Sequence, residues 1–348
     1  MKKSIISILL ILVLSVECLT LIGCKKTEKF TDYSFDSFDT VTVITGFETS
    51  KEIFDNNCKK IKEKLNYYHK LYNIYTKYDG INNLCYLNEK KENIKVEKNI
   101  TELLAFSKDM YNKTDGKVNI AMGSVLSLWH YSREDGINHP QNASLPDMEK
   151  LKNASKHTDI NDLTIDSENN MISLKDNDMS LDVGAIAKGY SVQRVADWME
   201  KEGMNGYILN VGGNVCTVGE RPDGNKWKVG IENPDSDNEE EPYIAFLELA
   251  GGCSLVTSGS YQRYYTVNGK QYHHIIDGET LMPASYFKSV SVLCSDSGVA
   301  DALSTALFCM DYEDGLKIIE TTENTEAMWV LPDGIQKYSE NFKDYFSK

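Results

Sequence analysis

The stretch Leu181-Asp182-Val183-Gly184-Ala185-Ile186-Ala187-Lys188-Gly189-Tyr190 constrains this chain more than any other segment. Small residues crowd the point where extended chain must give way to an amphipathic helix, predicted over residues 191–202. Such a turn leaves backbone N–H groups free at the helix start, where the helix N-terminus favours an anion. Asp182 adds a carboxylate, and Lys188 adds a single point charge suited to phosphate. The same residues would also serve a tight strand-to-helix turn with a solvated lysine, so the rest of the chain has to decide.

Residues 1–23 have the pattern of a targeting segment, with Lys2 and Lys3 before an apolar run, 5–16, too short to span a bilayer comfortably. Leu21-Ile22-Gly23-Cys24, followed by Lys25 and Lys26, resembles a bacterial lipobox. It implies cleavage before Cys24, a lipid on the Cys24 thiol, and a body held outside the cytoplasm on the cell membrane; the alternative is an uncleaved N-terminal anchor. The net charge of −15 argues against nucleic acid as a partner and against attraction to anionic lipid, which leaves the lipid to do the anchoring. An anionic ligand would need a metal or a few basic side chains beside it. Cys58, Cys85, Cys216, Cys253, Cys294 and Cys309 follow with irregular spacing and no CxxC, so no small stapled scaffold is implied.

Residues 24–37 are polar and aperiodic, which predicts a tether, followed by one domain over 38–348. A first strand is predicted at 40–47, and a helix over 51–72 presents Ile53, Phe54, Ile61, Leu65 and Tyr68 on one face. Helices over 101–112 and 124–131, a polar loop over 133–147, and a hairpin of 170–174 with 178–183 lead into the opening motif. Strands at 206–211, 214–218, 226–231, 245–249, 255–258, 261–267 and 288–294 follow, then helices at 299–310 and 312–321. Strands and helices mix without strict βαβ alternation, so the fold class is α+β, with mixed, largely antiparallel sheets and packed helices.

Three constellations carry chemistry. Asp301 and Thr305, four apart in an apolar helix, project oxygens from one face. Such hard oxygens suit Mg²⁺, although Asp301 could equally serve a helix N-terminus and Thr305 a backbone carbonyl. The hydroxyl- and glycine-bearing turn Thr257-Ser258-Gly259-Ser260-Tyr261, with Arg263, could hold phosphate or a ribose. His273 and His274 would point to opposite faces of a strand, so at most one meets a given site, by proton transfer or hydrogen bonding. Tyr75-Thr76-Lys77-Tyr78-Asp79 offers rings that could stack on a heteroaromatic ligand, but with 20 tyrosines core packing is the default. No Walker A loop, GxGxxG fingerprint, GxSxG elbow or HExxH pair occurs.

In this order the segments resemble the ApbE family of bacterial FAD:protein FMN transferases. The 181–190 stretch resembles its D-x-G-x-I-A-K-G-Y motif and Asn210-Val211-Gly212-Gly213-Asn214 its N-x-G-G segment. Thr257–Tyr264, His273–Asp277 and Asp301–Thr305 complete the set, and the likeness runs from about Phe38 to Val330. The resemblance implies that Asp301, Thr305 and the Ala185 carbonyl bind Mg²⁺, with Mn²⁺ as a substitute. It implies that Asp182, Lys188, His274 and Ile275 line the site of FAD, the substrate, and that Tyr78 and Lys117-Val118-Asn119 lie along the flavin. Two departures stand out: Val118-Asn119 replaces the usual F-D, and Gly278-Glu279-Thr280-Leu281-Met282-Pro283 replaces P-x-T-G-x-P.

The implied reaction is attack of a partner protein's Ser or Thr hydroxyl on the FMN-side phosphorus, releasing AMP, with His274 or Asp301 as base. The implied partners are exported proteins with FMN-binding domains. An FAD pyrophosphatase and a non-catalytic FAD-binding lipoprotein are the alternatives.

Overall fold

A computed structural model describes residues 26–235 and 241–348. The predicted targeting segment and Cys24 lie outside the described residues. Strand β1 (Glu28–Ser37) pairs antiparallel with β2 (Thr40–Glu48). The stretch expected to be a tether is therefore, from Glu28 onward, an edge strand. Its period was hidden because the positions it buries are serines, Ser34 and Ser37, while the ring of Phe30 packs 5.5 Å from that of Phe54.

Helix α1 (Lys51–Tyr72) starts where the Ser50 hydroxyl accepts from Ile53 N–H at 3.3 Å. It buries Phe54, Ile61 and Leu65 as its periodicity predicts, whereas Ile53 stays exposed. Then come α2 (Leu84–Lys90), β3 (Ile94–Lys95), α3 (Lys98–Lys113), α4 (Gly123–Asn138), α5 (Met148–Ala154), β4 (Leu163–Asp166) and β5 (Met171–Leu174). Two expectations fail here. The loop predicted from 133 is helix as far as Asn138, because Gly136 lets α4 pack closely under the Tyr265 ring and no proline intervenes before Pro140. Segment 178–183 forms no hairpin with β5, which pairs instead with β3 and β4. It runs past the start of α4, where the Ser180 carbonyl accepts from Gly123 N–H at 2.9 Å.

The second half contains α6 (Ala187–Lys201), β6 (Tyr207–Val211), β7 (Asn214–Val218), β8 (Trp227–Glu232), β9 (Tyr243–Leu249), β10 (Ser254–Gly259), β11 (Tyr264–Val267), β12 (Lys270–His273) and β13 (Ser289–Cys294). Helices α7 (Ser297–Phe308) and α8 (Tyr312–Glu320) and strands β14 (Thr325–Val330) and β15 (Gln336–Tyr338) close the chain. Eight strands form one sheet in the order β1-β2-β6-β7-β10-β13-β14-β15, every neighbouring pair antiparallel. The fold is α+β, as expected.

Strand alternation distributes the core between the two sheet faces. Val290, Val292, Ala327 and Trp329 point toward the helical layer with α7, and Ile44, Leu209 and Cys216 toward α1 and α6. Val215, Leu255, Leu293 and Met328 point the other way, onto the β8–β9 hairpin and Phe342. Strands β7 and β13 are consequently buried at every position. The six cysteines among the described residues are free thiols, and Cys294 and Cys309 are buried.

Two local features hold the site's elements in register. At Gly189 a Cβ would collide with the Ser297 carbonyl and Asp301 Cβ and lie 2.9 Å from Asn214 Nδ2, so only glycine lets α6 approach α7 this closely. At Leu281, where the family pattern has glycine, φ is 60°. The turn keeps its shape because the Leu281 carbonyl accepts from Trp129 Nε1–H at 3.0 Å and its side chain is buried beside Trp129 and Met122.

Gly189→Ala should therefore lower stability by about 3 kcal/mol in a denaturant melt; an unchanged midpoint would contradict this packing. Leu281→Gly should be more stable than Leu281→Ala by about 1 kcal/mol, the reverse of the order at an ordinary position, because alanine loses the buried side chain yet keeps the left-handed strain. Thermal melts of the pair decide the sign.

Candidate active site

The loops at one end of the large sheet and the starts of α6 and α7 enclose a cavity of about 630 Å³, within the range typical of small-molecule sites. Its floor is the opening motif. The N–H groups of Ile186 and Ala187 both turn back to the Val183 carbonyl, at 3.0 and 2.8 Å. Helix α6 has no side-chain cap of its own. Its third N–H, that of Gly189, donates instead to Asp301 Oδ2 at 2.7 Å, from the neighbouring helix. Because that N–H is diverted, it does not return to Ala185, and among the described residues no donor reaches the Ala185 carbonyl. Asp301 thus does serve a helix N-terminus, but that of α6 rather than of its own helix, which Asp296 caps, and it does so through one carboxylate oxygen.

Thr305, one turn further along α7, also lines the cavity, with its hydroxyl 3.3 Å from that of Ser258 on β10. The Asp301 oxygen not used by Gly189, the Thr305 hydroxyl and the Ala185 carbonyl are all hard oxygens on the cavity wall, the donor type that suits Mg²⁺, an ion that usually keeps water and phosphate as its other ligands. Burial pushes the Asp301 carboxyl up, opposed by the Lys188 charge and the Gly189 N–H. Such a carboxylate gains from a cation. Among the described residues, one His/Asp cluster, His157, Asp176 and Asp178, has metal-ligand spacing, but none of the three lines the cavity.

Lys188 reaches across to the β6–β7 turn, where its ammonium donates to the Gly212 carbonyl at 3.4 Å and to Asn214 Oδ1. Burial pulls its pKa down, and Asp301 resists that shift. Gly212 and Gly213 both have positive φ, so the N-x-G-G segment is a two-residue hairpin turn of the primed kind. Asp182 stands on the wall, its Oδ1 accepting from Gly184 N–H at 2.8 Å, and burial pushes its carboxyl up.

The adjacent histidines divide as strand geometry requires. His273 is fully engaged: Nε2–H donates to the Ala284 carbonyl at 2.8 Å and Nδ1 accepts from Ile275 N–H at 3.2 Å. His274 lines the cavity, and its Nδ1–H donates to the Arg263 carbonyl at 3.2 Å, which leaves the lone pair on Nε2. Burial, reinforced by the Arg263 charge, pulls the His274 imidazole down to about 3.

Ile275, Lys117, Val118 and Asn119 line the cavity as well. Lys117 pairs with Glu279 at 2.5 Å. Asn119, where the family pattern has a carboxylate, spends its amide locally, accepting from Ala121 N–H and donating to the Thr158 carbonyl, both at 2.9 Å. Tyr78 is the exception. It does not line the cavity; its hydroxyl lies 3.4 Å from Asn73 Nδ2 and 3.5 Å from His69 Nε2, behind the wall those two residues form. Tyr75, one of the rings the sequence offered for stacking, does line the cavity, together with His130 and Arg133, which the sequence did not single out. The available signal was the i,i+3 spacing of His130 and Arg133, legible only if α4 continues past 131.

A model described as the ApbE family matches residues 37–329. FAD:protein FMN transferases of Klebsiella pneumoniae (strain 342) and Vibrio cholerae serotype O1 are 30% and 32% identical over 238 residues, 68% of this chain and 70% and 68% of theirs. The crystal structure of the ApbE protein from Thermotoga maritima has a TM-score of 0.79 at 27% identity, covering 92% of this chain and 100% of its own. The flavin transferase ApbE from Vibrio cholerae has the same fold, with a TM-score of 0.75 at 24% identity over 92% and 99% of the two chains. The family match spans every motif that builds the cavity, from the β1–β2 turn to Thr305, and on that evidence this chain belongs to the ApbE family.

Proposed function

We propose that this chain transfers FMN from FAD to a Ser or Thr hydroxyl of a partner protein and that the cavity holds the FAD. The observation that carries the reading is the Ala185 carbonyl, left without a donor because Gly189 N–H turns to Asp301. Asp301, Thr305 and Ala185 would hold Mg²⁺ or Mn²⁺, which when bound supplies charge neutralisation and polarisation of the pyrophosphate. Lys188 places a cation beside Asp301, on the same floor. The hydroxyl oxygen of the acceptor forms the new bond to the FMN phosphorus as the anhydride bond to AMP breaks, and AMP departs with that bond pair. The acceptor's proton passes to His274 Nε2 or to Asp301, whose second oxygen would also hold the cation and is the weaker base for it. His274 is held for this role by its Nδ1–H bond, which fixes the ring and keeps the lone pair at Nε2.

The acceptors we propose are exported proteins with FMN-binding domains, reached from a membrane anchored through lipid on Cys24. That anchoring rests on residues 1–24, outside the described structure. No helix among the described residues is long and apolar enough to cross a membrane.

Incubation with FAD, Mg²⁺ and an acceptor domain tests the reading. A fluorescent acceptor band with released AMP is expected; free FMN and AMP alone would indicate hydrolysis, and unchanged FAD would indicate simple binding. Asp301→Ala should abolish turnover in this assay, and retained turnover would sink the metal assignment. Because the His274 pKa is lowered from 6.5, its neutral form is present throughout the range in which a free histidine titrates. The kcat/KM profile should accordingly show no His274 limb between about pH 5 and 8. An acid limb near neutrality that vanishes in His274→Ala would contradict the neutral imidazole.

A further inference from the structure

We propose that Tyr75, backed by the imidazole of His130, is the surface on which a flat heteroaromatic ring of FAD stacks, a place the family resemblance gives to Tyr78. The inference rests on the flavin-transferase reading of the cavity. Both rings border the cavity and already stack on each other, with centroids 4.7 Å apart and planes inclined by 27°.

Each ring is held in place. Arg133 Nη2–H donates to His130 Nδ1 at 2.9 Å, one turn along α4, which fixes the imidazole with its proton on Nε2. Asn73 Oδ1 accepts from the N–H groups of Tyr75 and Thr76 at 2.8 and 2.7 Å, a tight turn that aims Tyr75 across the cavity mouth. Tyr75 is nevertheless 59% exposed. A pinned aromatic ring with an open face offers a stacking partner at little cost in side-chain entropy. Tyr78 is held through its hydroxyl by Asn73 and His69 but does not line the cavity, and the Lys70 ammonium sits 5.7 Å from its ring centre.

FAD carries two flat ring systems, isoalloxazine and adenine, and a tyrosine face accepts either. FMN carries only the first and ADP only the second, so the two can be told apart.

The test is calorimetric titration of the full folded protein with FAD, FMN and ADP in the presence of Mg²⁺, comparing wild type with Tyr75→Ala, Tyr75→Phe, His130→Ala and Tyr78→Ala. Tyr75→Ala should weaken FAD binding about tenfold, the size of one aromatic stack. Tyr75→Phe should restore it, since the ring and not the hydroxyl is required, and His130→Ala should give a smaller loss. A parallel loss for FMN but not ADP places isoalloxazine on Tyr75, and the converse places adenine there; either supports the proposal. Unchanged affinities for all three ligands in Tyr75→Ala, or a loss confined to Tyr78→Ala, would overturn it. Failure of the wild-type protein to bind FAD would overturn the flavin-transferase reading and this inference with it.

Discussion

The site depends on one hydrogen bond, from the Gly189 N–H at the start of α6 to a carboxylate oxygen of Asp301 on α7. A helix start needs acceptors for its first N–H groups, and α6 takes one from another helix. That choice has three consequences. It requires glycine at 189, because the two helices meet backbone to backbone. It buries a carboxylate, which then needs positive charge close by, and Lys188 supplies part of it. It also releases the Ala185 carbonyl from the helix, giving the cavity floor an oxygen that no side chain contributes. The capping role and the metal-binding role of Asp301, which looked like alternatives in the sequence, are assigned to different oxygens of one group.

The electrostatics of the cavity follow from its place in an acidic protein. With a net charge of −15, the chain attracts phosphate only where cations are concentrated. Lys188, Arg263, Arg133 and Lys117 all border the one cavity. Asp39, Asp182 and Asp301 share it, so cations outnumber carboxylates on its wall although the chain as a whole is acidic. Arg263 acts twice: its carbonyl fixes the His274 tautomer, and its guanidinium helps keep that ring neutral.

Much of this was legible in the sequence, for identifiable reasons. The α6 turn and the Asp301–Thr305 pair lie within short, regular segments whose spacing fixes which atoms face together. Strands β2, β6, β7, β10 and β13 of the large sheet announced themselves as short runs rich in β-branched and apolar residues, whereas β14 and β15 were not anticipated. What was missed depended on packing between distant segments. Strand β1 buries serines, so hydrophobic periodicity was blind to it. Helix α4 outruns its apolar pattern because Gly136 fits beneath Tyr265, and this hid the pairing of Arg133 with His130. Tyr78 was selected by motif position, but Asn73 and His69 turn its hydroxyl away while Tyr75 takes the cavity side. The lost glycine of the 278–283 turn proved tolerable because Leu281 buries its side chain against Trp129 while holding a left-handed backbone.

The most direct measurement is Mn²⁺ binding, followed by electron paramagnetic resonance in the presence of FAD, to wild-type protein and to Asp301→Asn. An asparagine oxygen can still accept from Gly189 N–H, so the cap and the fold should survive, as a thermal melt would show, while the loss of charge should abolish the bound-metal signal. A folded Asp301→Asn protein that binds Mn²⁺ as the wild type does would contradict the division of Asp301 between helix cap and metal.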